Sequence, residues 1–169
     1  SQEGLSVVMV NPGVILGPGF WESGTGNLFT TANKGYSYYP PGGTGFITVH
    51  DVVRMMVELM NSEISNERFI AVSQNLSFKE ILTLLSTSFG RKEPKIALKF
   101  WQLEIGRVFD YIWSTISGKP RKITKSNIYS LKHRDEYDNS KIKEFLNFEF
   151  ETLQPTIAFS CQRFLEENL

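Results

Sequence analysis

Few side chains in this sequence have the types and spacing that acid–base chemistry needs. Tyr137 and Lys141 lie four residues apart. On one face of a helix the ammonium would lower the pKa of the phenol and let it act as an acid or base. The residues between them, Asp138, Asn139 and Ser140, favour the start of a helix. Tyr137 would then precede the helix, so we predict no catalytic residue in this pair.

A second pair, His50 and Asp51, invites a catalytic interpretation because histidine titrates near neutral pH. No serine-nucleophile motif lies nearby. We therefore predict that Asp51 caps the following helix, where its carboxylate would accept from free backbone N–H groups. His50 is then expected at the surface.

The chain has one cysteine, Cys161, and two histidines, His50 and His133, which together cannot form a zinc site or an internal disulfide. We expect no metal, and we expect Cys161 to pack as a small apolar side chain on the last helix. This cysteine usage fits a reducing compartment and predicts a cytoplasmic location.

The 169 residues, 41% of them hydrophobic, are enough to bury the core of a globular domain. No run is long and apolar enough for a membrane span. A formal net charge of 0 argues against a nucleic-acid partner. The charge is uneven, however, because residues 91–134 hold 11 basic and three acidic residues. Binding of nucleic acid or a membrane surface through this segment is an alternative that salt dependence would test.

Apolar periodicity predicts three strands among several helices, in the order typical of an α/β protein. The strands are predicted at 5–10, 46–49 and 68–73, and the helices at 26–32, 52–60, 78–89, 101–116, 124–132, 140–146 and 153–165. The first strand is apolar on both faces, which predicts a buried strand of a parallel sheet. Ser77 and Glu80 have the spacing of a capping box, and Ser140 is expected to cap the penultimate helix.

Glycine-rich segments follow the first strand, at Asn11-Pro12-Gly13 and Gly17-Pro18-Gly19. Ligands of open α/β sheets bind beyond the carboxyl ends of the strands, so a ligand site is expected there. An ordinary connecting loop is the alternative interpretation of the same residues.

Two runs, residues 8–19 (VMVNPGVILGPG) and 39–52 (YPPGGTGFITVHDV), resemble the C-terminal half of extended short-chain dehydrogenase/reductases. The likeness is to the dihydroflavonol reductase-like members of the NAD-dependent epimerase/dehydratase family. Motifs at 67–69, 75–77 and 138–141 follow in the expected order, so the resemblance covers essentially the whole chain. It implies the last strands of a Rossmann-type sheet with ligand loops in residues 1–90, and a mainly helical substrate-binding lobe in residues 91–169.

The resemblance implies that the intact parent protein is an NAD(P)-dependent oxidoreductase. Its nicotinamide carboxamide would contact backbone at Asn11, Pro12, Gly13 and Val14, and the fixed φ of Pro12 would preorganise that backbone. The family's Gly-x-x-Gly-x-x-Gly loop is absent from this chain, and the Tyr137–Lys141 match lies after the strand that should follow the catalytic pair. We therefore expect the chain alone to be inactive and to bind no cofactor tightly.

The resemblance also implies a pocket for a flat or apolar small molecule, lined by Phe20, Trp21, Tyr39 and Phe46. Packing of these aromatic-rich loops onto the sheet is the alternative. Nucleotide-sugar epimerases of this superfamily carry an Arg-Asp pair just before the aromatic residue of the second strand. Thr44 and Gly45 occupy those positions here, which disfavours a nucleotide sugar.

The parent's expected activity is that of a carbonyl reductase or dehydrogenase, or of an epimerase/dehydratase. The alternatives are a nucleotide-sugar epimerase and a non-catalytic interaction or scaffold protein. The association state is open between monomer and homodimer, since an exposed sheet edge can also pair artificially.

Overall fold

The protein is described by a computed structural model at residues 6–22, 24–118 and 125–168. Strands and helices alternate along the first 90 residues, and helices dominate the rest of the described chain. This order confirms the predicted α/β class. The predicted strand start at Leu5 and helix start at Thr124 lie outside the described residues.

Seven short strands are present among the described residues: β1 Val8–Pro12, β2 Val14–Leu16, β3 Tyr38–Tyr39, β4 Gly43–Thr48, β5 Glu67–Ala71, β6 Gln74–Ser77 and β7 Ile96–Ala97. β1 pairs in parallel with β5, and β3 pairs in parallel with β7. β4 lies at the centre of a third sheet, parallel to β2 and antiparallel to β6. The three predicted strands correspond to β1, β4 and β5, whereas the other four are too short for periodicity to mark.

The helices are α1 Gly26–Asn33, α2 Val49–Met60, α3 Phe78–Ser88, α4 Phe100–Ser117, α5 Lys125–Lys132, α6 Ser140–Leu146 and α7 Leu153–Glu167. Every predicted helix is found. The capping box of α3 is confirmed, because the Ser77 hydroxyl oxygen accepts from the Glu80 backbone N–H at 3.2 Å and a Glu80 carboxylate oxygen accepts from the Ser77 backbone N–H at 2.7 Å. These contacts fix the start of α3.

Two caps differ from the prediction. Thr48, not Asp51, caps α2, because its hydroxyl oxygen accepts from the Asp51 backbone N–H at 2.9 Å. Asn139, not Ser140, is the N-cap residue of α6, and the Asp138 carboxylate accepts from the Ser140 backbone N–H at 2.9 Å. The N-cap residues lie three residues before Asp51 and one residue before Ser140, because several adjacent residue types can cap.

The described residues form two apolar cores. The first lies among β2, β4, α1, α3 and α7, and contains the fully buried Leu16, Phe29, Phe46, Ile81, Leu85 and Leu153. The second lies among β4, β5, α2 and α6, and contains Ile47, Met55, Phe69 and Ile142. β4 contributes to both cores, since Phe46 and Ile47 point to opposite faces of the strand.

The prediction of a buried first strand is wrong. Met9 in β1 is 49% exposed, and the flanking Val7 is also exposed. Within the described chain β1 pairs with β5 alone, so its other edge has no partner strand there. Burial of a parallel strand on both faces requires elements packed over both faces of the sheet, and the side chain of Met9 has no such cover among the described residues.

The division of the chain at residue 90 stays a prediction. α6 packs against β5 in the second core, and α7 packs against α3 and β2 in the first. Much of the helical segment after residue 90 therefore shares its cores with elements that precede it.

Candidate functional site

The connection between β1 and β2 holds the four residues predicted to contact a cofactor. Asn11 and Pro12 end β1 and are exposed. Gly13 and Val14 are half-buried, at the point where the chain stops pairing with β5 and starts pairing with β4. A Cβ atom at Gly13 would overlap the carbonyl oxygen of Gly45 in β4. Glycine is therefore required at residue 13 to let two backbones approach at the carboxyl end of parallel strands.

The backbone of this turn can offer only part of its hydrogen-bonding capacity to a ligand. Pro12 has no N–H group, and the Gly13 N–H already donates to the Ala71 carbonyl oxygen at 3.0 Å. A primary amide bound at Pro12 and Gly13 would therefore have to donate its NH₂ group to a backbone carbonyl oxygen. This chemistry fits a nicotinamide carboxamide.

The second glycine-rich loop lies beside the first turn. Gly17, Pro18, Gly19 and Phe20 line a cavity of about 280 Å³ together with Ile15 at the centre of β2. Phe20 has φ of 45° and is 92% exposed, a combination that few non-glycine residues adopt. Strained backbone clusters at ligand-binding sites, which makes Phe20 a candidate for contact with a ligand.

The four aromatic residues predicted to line a pocket do not meet in one cavity. Phe46 is fully buried in the first core. Trp21 is also buried there, and its indole N–H donates to a Glu167 carboxylate oxygen at 2.7 Å. Tyr39 packs half-buried against the same core, so that Phe20 is the most exposed of the four. Core packing accounts for the positions of Trp21 and Phe46.

Sequence reasoning missed an apolar cavity of about 390 Å³ next to β3. Its walls come from α1, β3, α3 and α5, and they include Leu28, Tyr36, Tyr38, Leu82, Leu98 and Leu131. Its size and apolar lining are those of a small-molecule pocket. The tyrosine-rich run at 36–39 was the available signal, but the leucines come from α1, α3, α5 and the segment before α4, which only the fold brings together.

The structure confirms that Tyr137 does not stand on a helix with Lys141. Tyr137 precedes α6, and its backbone is held by Asn75, whose side chain both donates to and accepts from it. Lys141 instead donates to a Glu67 carboxylate oxygen at 2.6 Å. The Tyr137 backbone and the Lys141 side chain therefore both hold the start of α6, to β6 and to β5 respectively.

The histidines and the cysteine also have structural surroundings. His50 is exposed as predicted, and its Nδ1 lies 2.9 Å from a Glu151 carboxylate oxygen. His133 stacks on the Tyr129 ring at 4.0 Å between centroids. Cys161 is buried in the first core as predicted, and desolvation raises the pKa of its thiol to about 12. In the part of the chain that the structure describes, no cluster of His, Cys, Asp and Glu could hold a metal ion.

One curated relative is similar to part of the chain, and no family model matches the sequence. The relative is sterol demethylase protein B of Methylococcus capsulatus, which is 30% identical over 97 residues. The match covers 56% of this chain and 30% of the relative.

Solved structures match almost the whole chain. A nucleoside-diphosphate-sugar epimerase of Pseudomonas aeruginosa superposes with a TM-score of 0.73 at 18% identity, covering 98% of this chain and 50% of its own. The chain has the fold of the C-terminal half of Rossmann-type epimerase/dehydratase proteins.

Two UDP-glucose 4-epimerases share this half-protein fold. The enzyme of Thermotoga maritima, solved with UDP-glucose, gives a TM-score of 0.70 at 18% identity and covers 99% of this chain and 49% of its own. The enzyme of Thermus thermophilus, solved with NAD, gives a TM-score of 0.63 at 13% identity and covers 97% of this chain and 48% of its own. The chain thus spans about half the length of the structures it matches.

Proposed function

We propose that this chain supplies the nicotinamide-facing turn and the substrate loops of an NAD(P)-dependent oxidoreductase of the epimerase/dehydratase type. The observation that carries the proposal is the turn at Asn11, Pro12, Gly13 and Val14. It stands at the carboxyl end of a parallel strand, it requires glycine for a close backbone approach, and its remaining acceptors suit a carboxamide. The hydride chemistry is the cofactor's own when it is bound.

The proposed substrate is a flat or apolar small molecule. Thr44 and Gly45 lie in β4 opposite Leu76 and Asn75. A Cβ atom at residue 45 would come within 2.6 Å of a Val72 methyl carbon, so an Asp side chain has no room there. Without the Arg-Asp pair, these positions cannot bind diphosphate oxygens bidentately. The exposed Phe20 and the apolar cavity beside Tyr38 support an apolar substrate instead.

The catalytic acid–base groups are proposed to belong to a longer parent protein, together with the loop that binds the cofactor's pyrophosphate. The chain alone is then expected to turn over no ketone with NADPH. A cytoplasmic location and a homodimer stay predictions for that parent.

NMR titration of the chain with two halves of the cofactor tests the proposed turn. Reduced nicotinamide mononucleotide at millimolar concentration should shift the amide resonances of Asn11, Gly13, Val14 and Phe20. Adenosine monophosphate should leave them unchanged, because this chain lacks the glycine loop for the other half of the cofactor. Pro12→Ala should weaken the first response by freeing φ at the turn. Equal responses to both ligands, or none at residues 11–14, would contradict the proposal.

A further inference from the structure

α4 presents its apolar side to solvent. Seven of its apolar residues form one stripe at helical spacing, and all of them are between 46% and 76% exposed. They are Trp101, Ile105, Val108, Phe109, Ile112, Trp113 and Ile116. No residue of α4 is buried. Solvent-facing helices ordinarily show the reverse arrangement, so this stripe, the α4 apolar face, needs an occupant.

The polar side of α4 is the more protected side. Arg107 donates to a Glu104 carboxylate oxygen at 2.8 Å, and the two side chains are only 22% and 34% exposed. Leu103, near Arg107 on the helix surface, is half-buried. α4 packs against α5, where the Lys132 ammonium lies 4.5 Å from the centre of the Phe100 ring. The helix therefore turns its ion pair toward the protein and the rings of Trp101, Phe109 and Trp113 away from it.

The surrounding charge indicates what covers this face. Residues 91–134 hold 11 basic and three acidic residues. Lys92, Lys95 and Lys99, just before α4, are all exposed. A second copy of the chain would bring the same positive segment against itself, which repulsion disfavours. An anionic surface would attract the segment while the apolar face is buried.

The side-chain types on the α4 apolar face match a lipid interface. Tryptophan and other aromatic rings are enriched where one part of a side chain meets acyl chains and another meets headgroups. A helix of 18 residues is about 27 Å long, ample for lying in the plane of a bilayer surface. No helix among the described residues is long and apolar enough to cross a bilayer.

We propose that α4 docks this protein on an anionic membrane surface, with the α4 apolar face inserted at the level of the headgroups and the lysines of residues 91–99 held at the lipid phosphates. The cations add attraction near the surface, and burial of the aromatic rings adds the apolar contribution.

Sedimentation with vesicles tests this proposal on the chain as it stands. The wild type should bind vesicles containing phosphatidylserine, bind phosphatidylcholine vesicles at least about tenfold less, and be released as salt rises from about 0.1 to 1 M. Phe109→Ser combined with Trp113→Ser should weaken binding by about tenfold or more, because two large apolar side chains are lost. Lys92→Glu with Lys95→Glu should weaken it by a similar factor.

Matched controls separate docking through α4 from non-specific binding to vesicles. Met60→Ser removes an apolar side chain that is 82% exposed on α2, and Lys79→Glu reverses an exposed charge on α3; both variants should bind as the wild type does. Tryptophan emission should shift to the blue and be quenched by brominated lipid through Trp101 and Trp113, while the buried Trp21 reports that the fold is intact.

Three outcomes would overturn the proposal. The first is equal binding by the Phe109/Trp113 double variant and the wild type. The second is binding that does not depend on anionic lipid. The third is a concentration-dependent dimer in analytical ultracentrifugation that the double variant abolishes, since the α4 apolar face would then be covered by a second copy.

Discussion

α3 and α4 are both amphipathic helices with a clear apolar stripe, but the fold uses the two stripes in opposite ways. α3 turns Ile81 and Leu85 into the first core, where both are fully buried. α4 turns Phe109 and Trp113 toward solvent at 68% and 67% exposure. Periodicity predicts the helix and its apolar face in both cases. It does not say whether the partner of that face belongs to the same chain.

The largest expected difference between the helices comes from truncating one apolar side chain in each. Leu85→Ala should lower the free energy of unfolding by about 2 to 5 kcal/mol, because it removes fully buried atoms and leaves a cavity. Phe109→Ala should change it by about 0.5 kcal/mol or less, since the ring is mostly exposed. Urea unfolding of the two variants measures both values. A loss at Phe109 equal to that at Leu85 would show that α4 is covered by its own chain in solution.

A smaller difference is expected between the ion pairs of a packed helix and of α4. Asp51 in α2 is fully buried and accepts from an Arg54 guanidinium N–H at 2.7 Å and from the Glu151 backbone N–H at 3.1 Å. Asp51→Asn should therefore cost about 1.5 to 3 kcal/mol of unfolding free energy. Glu104→Gln, in the partly exposed pair with Arg107, should cost about 1 kcal/mol or less. Thermal or urea unfolding at fixed salt would compare the two variants. Equal losses of unfolding free energy would contradict the expected difference between the buried and the exposed ion pair.

The smallest effect concerns how the two helices begin. Ser77→Ala should cost about 1 kcal/mol at neutral pH by removing the N-cap of α3. Gln102→Ala in α4 should cost less, because Gln102 only accepts from the exposed Lys99 backbone N–H. Unfolding curves of both variants and the wild type in urea would measure the difference.

The α3 cap also predicts a pH dependence. Hydrogen bonds from the Ser77 hydroxyl, and next from its backbone N–H, lower the pKa of Glu80 below its ordinary value. The stabilisation by this carboxylate is therefore complete above the ordinary glutamate pKa and is lost as pH falls through the lowered value. Glu80→Gln should accordingly destabilise the protein at neutral pH and converge with the wild type in acid. A constant difference across that range would refute the assignment.

Much of the secondary structure follows from local sequence, whereas burial depends on partners that local sequence does not contain. The Ser77–Glu80 box is a local motif and is confirmed. The first strand looks buried from its apolar residues, but Met9 is exposed because no described element covers its face of β1. Asp51 has the residue type of an N-cap, yet Thr48 caps α2. The Asp51 carboxylate instead accepts from the Glu151 backbone N–H and so joins α2 to that part of the chain.

The candidate site shows the same limit. Composition and resemblance mark the turn at Pro12 and Gly13, because its residue types are unusual after a strand, and its contact with a cofactor stays a prediction. The pocket residues could not, since Trp21 and Phe46 are as apolar as any ligand-facing ring and the fold places them in the core. The cavity near Tyr38 depends on leucines from three later segments, which no local pattern connects.

The buried thiol has a practical consequence. Cys161 is the only cysteine in the sequence, and it lies on α7, against the core that holds α3. With its pKa raised to about 12, the thiol forms almost no thiolate at neutral pH while α7 stays in place. Alkylation at this residue therefore requires α7 to move away from the core. The rate of alkylation consequently reports how often the C-terminal helix opens.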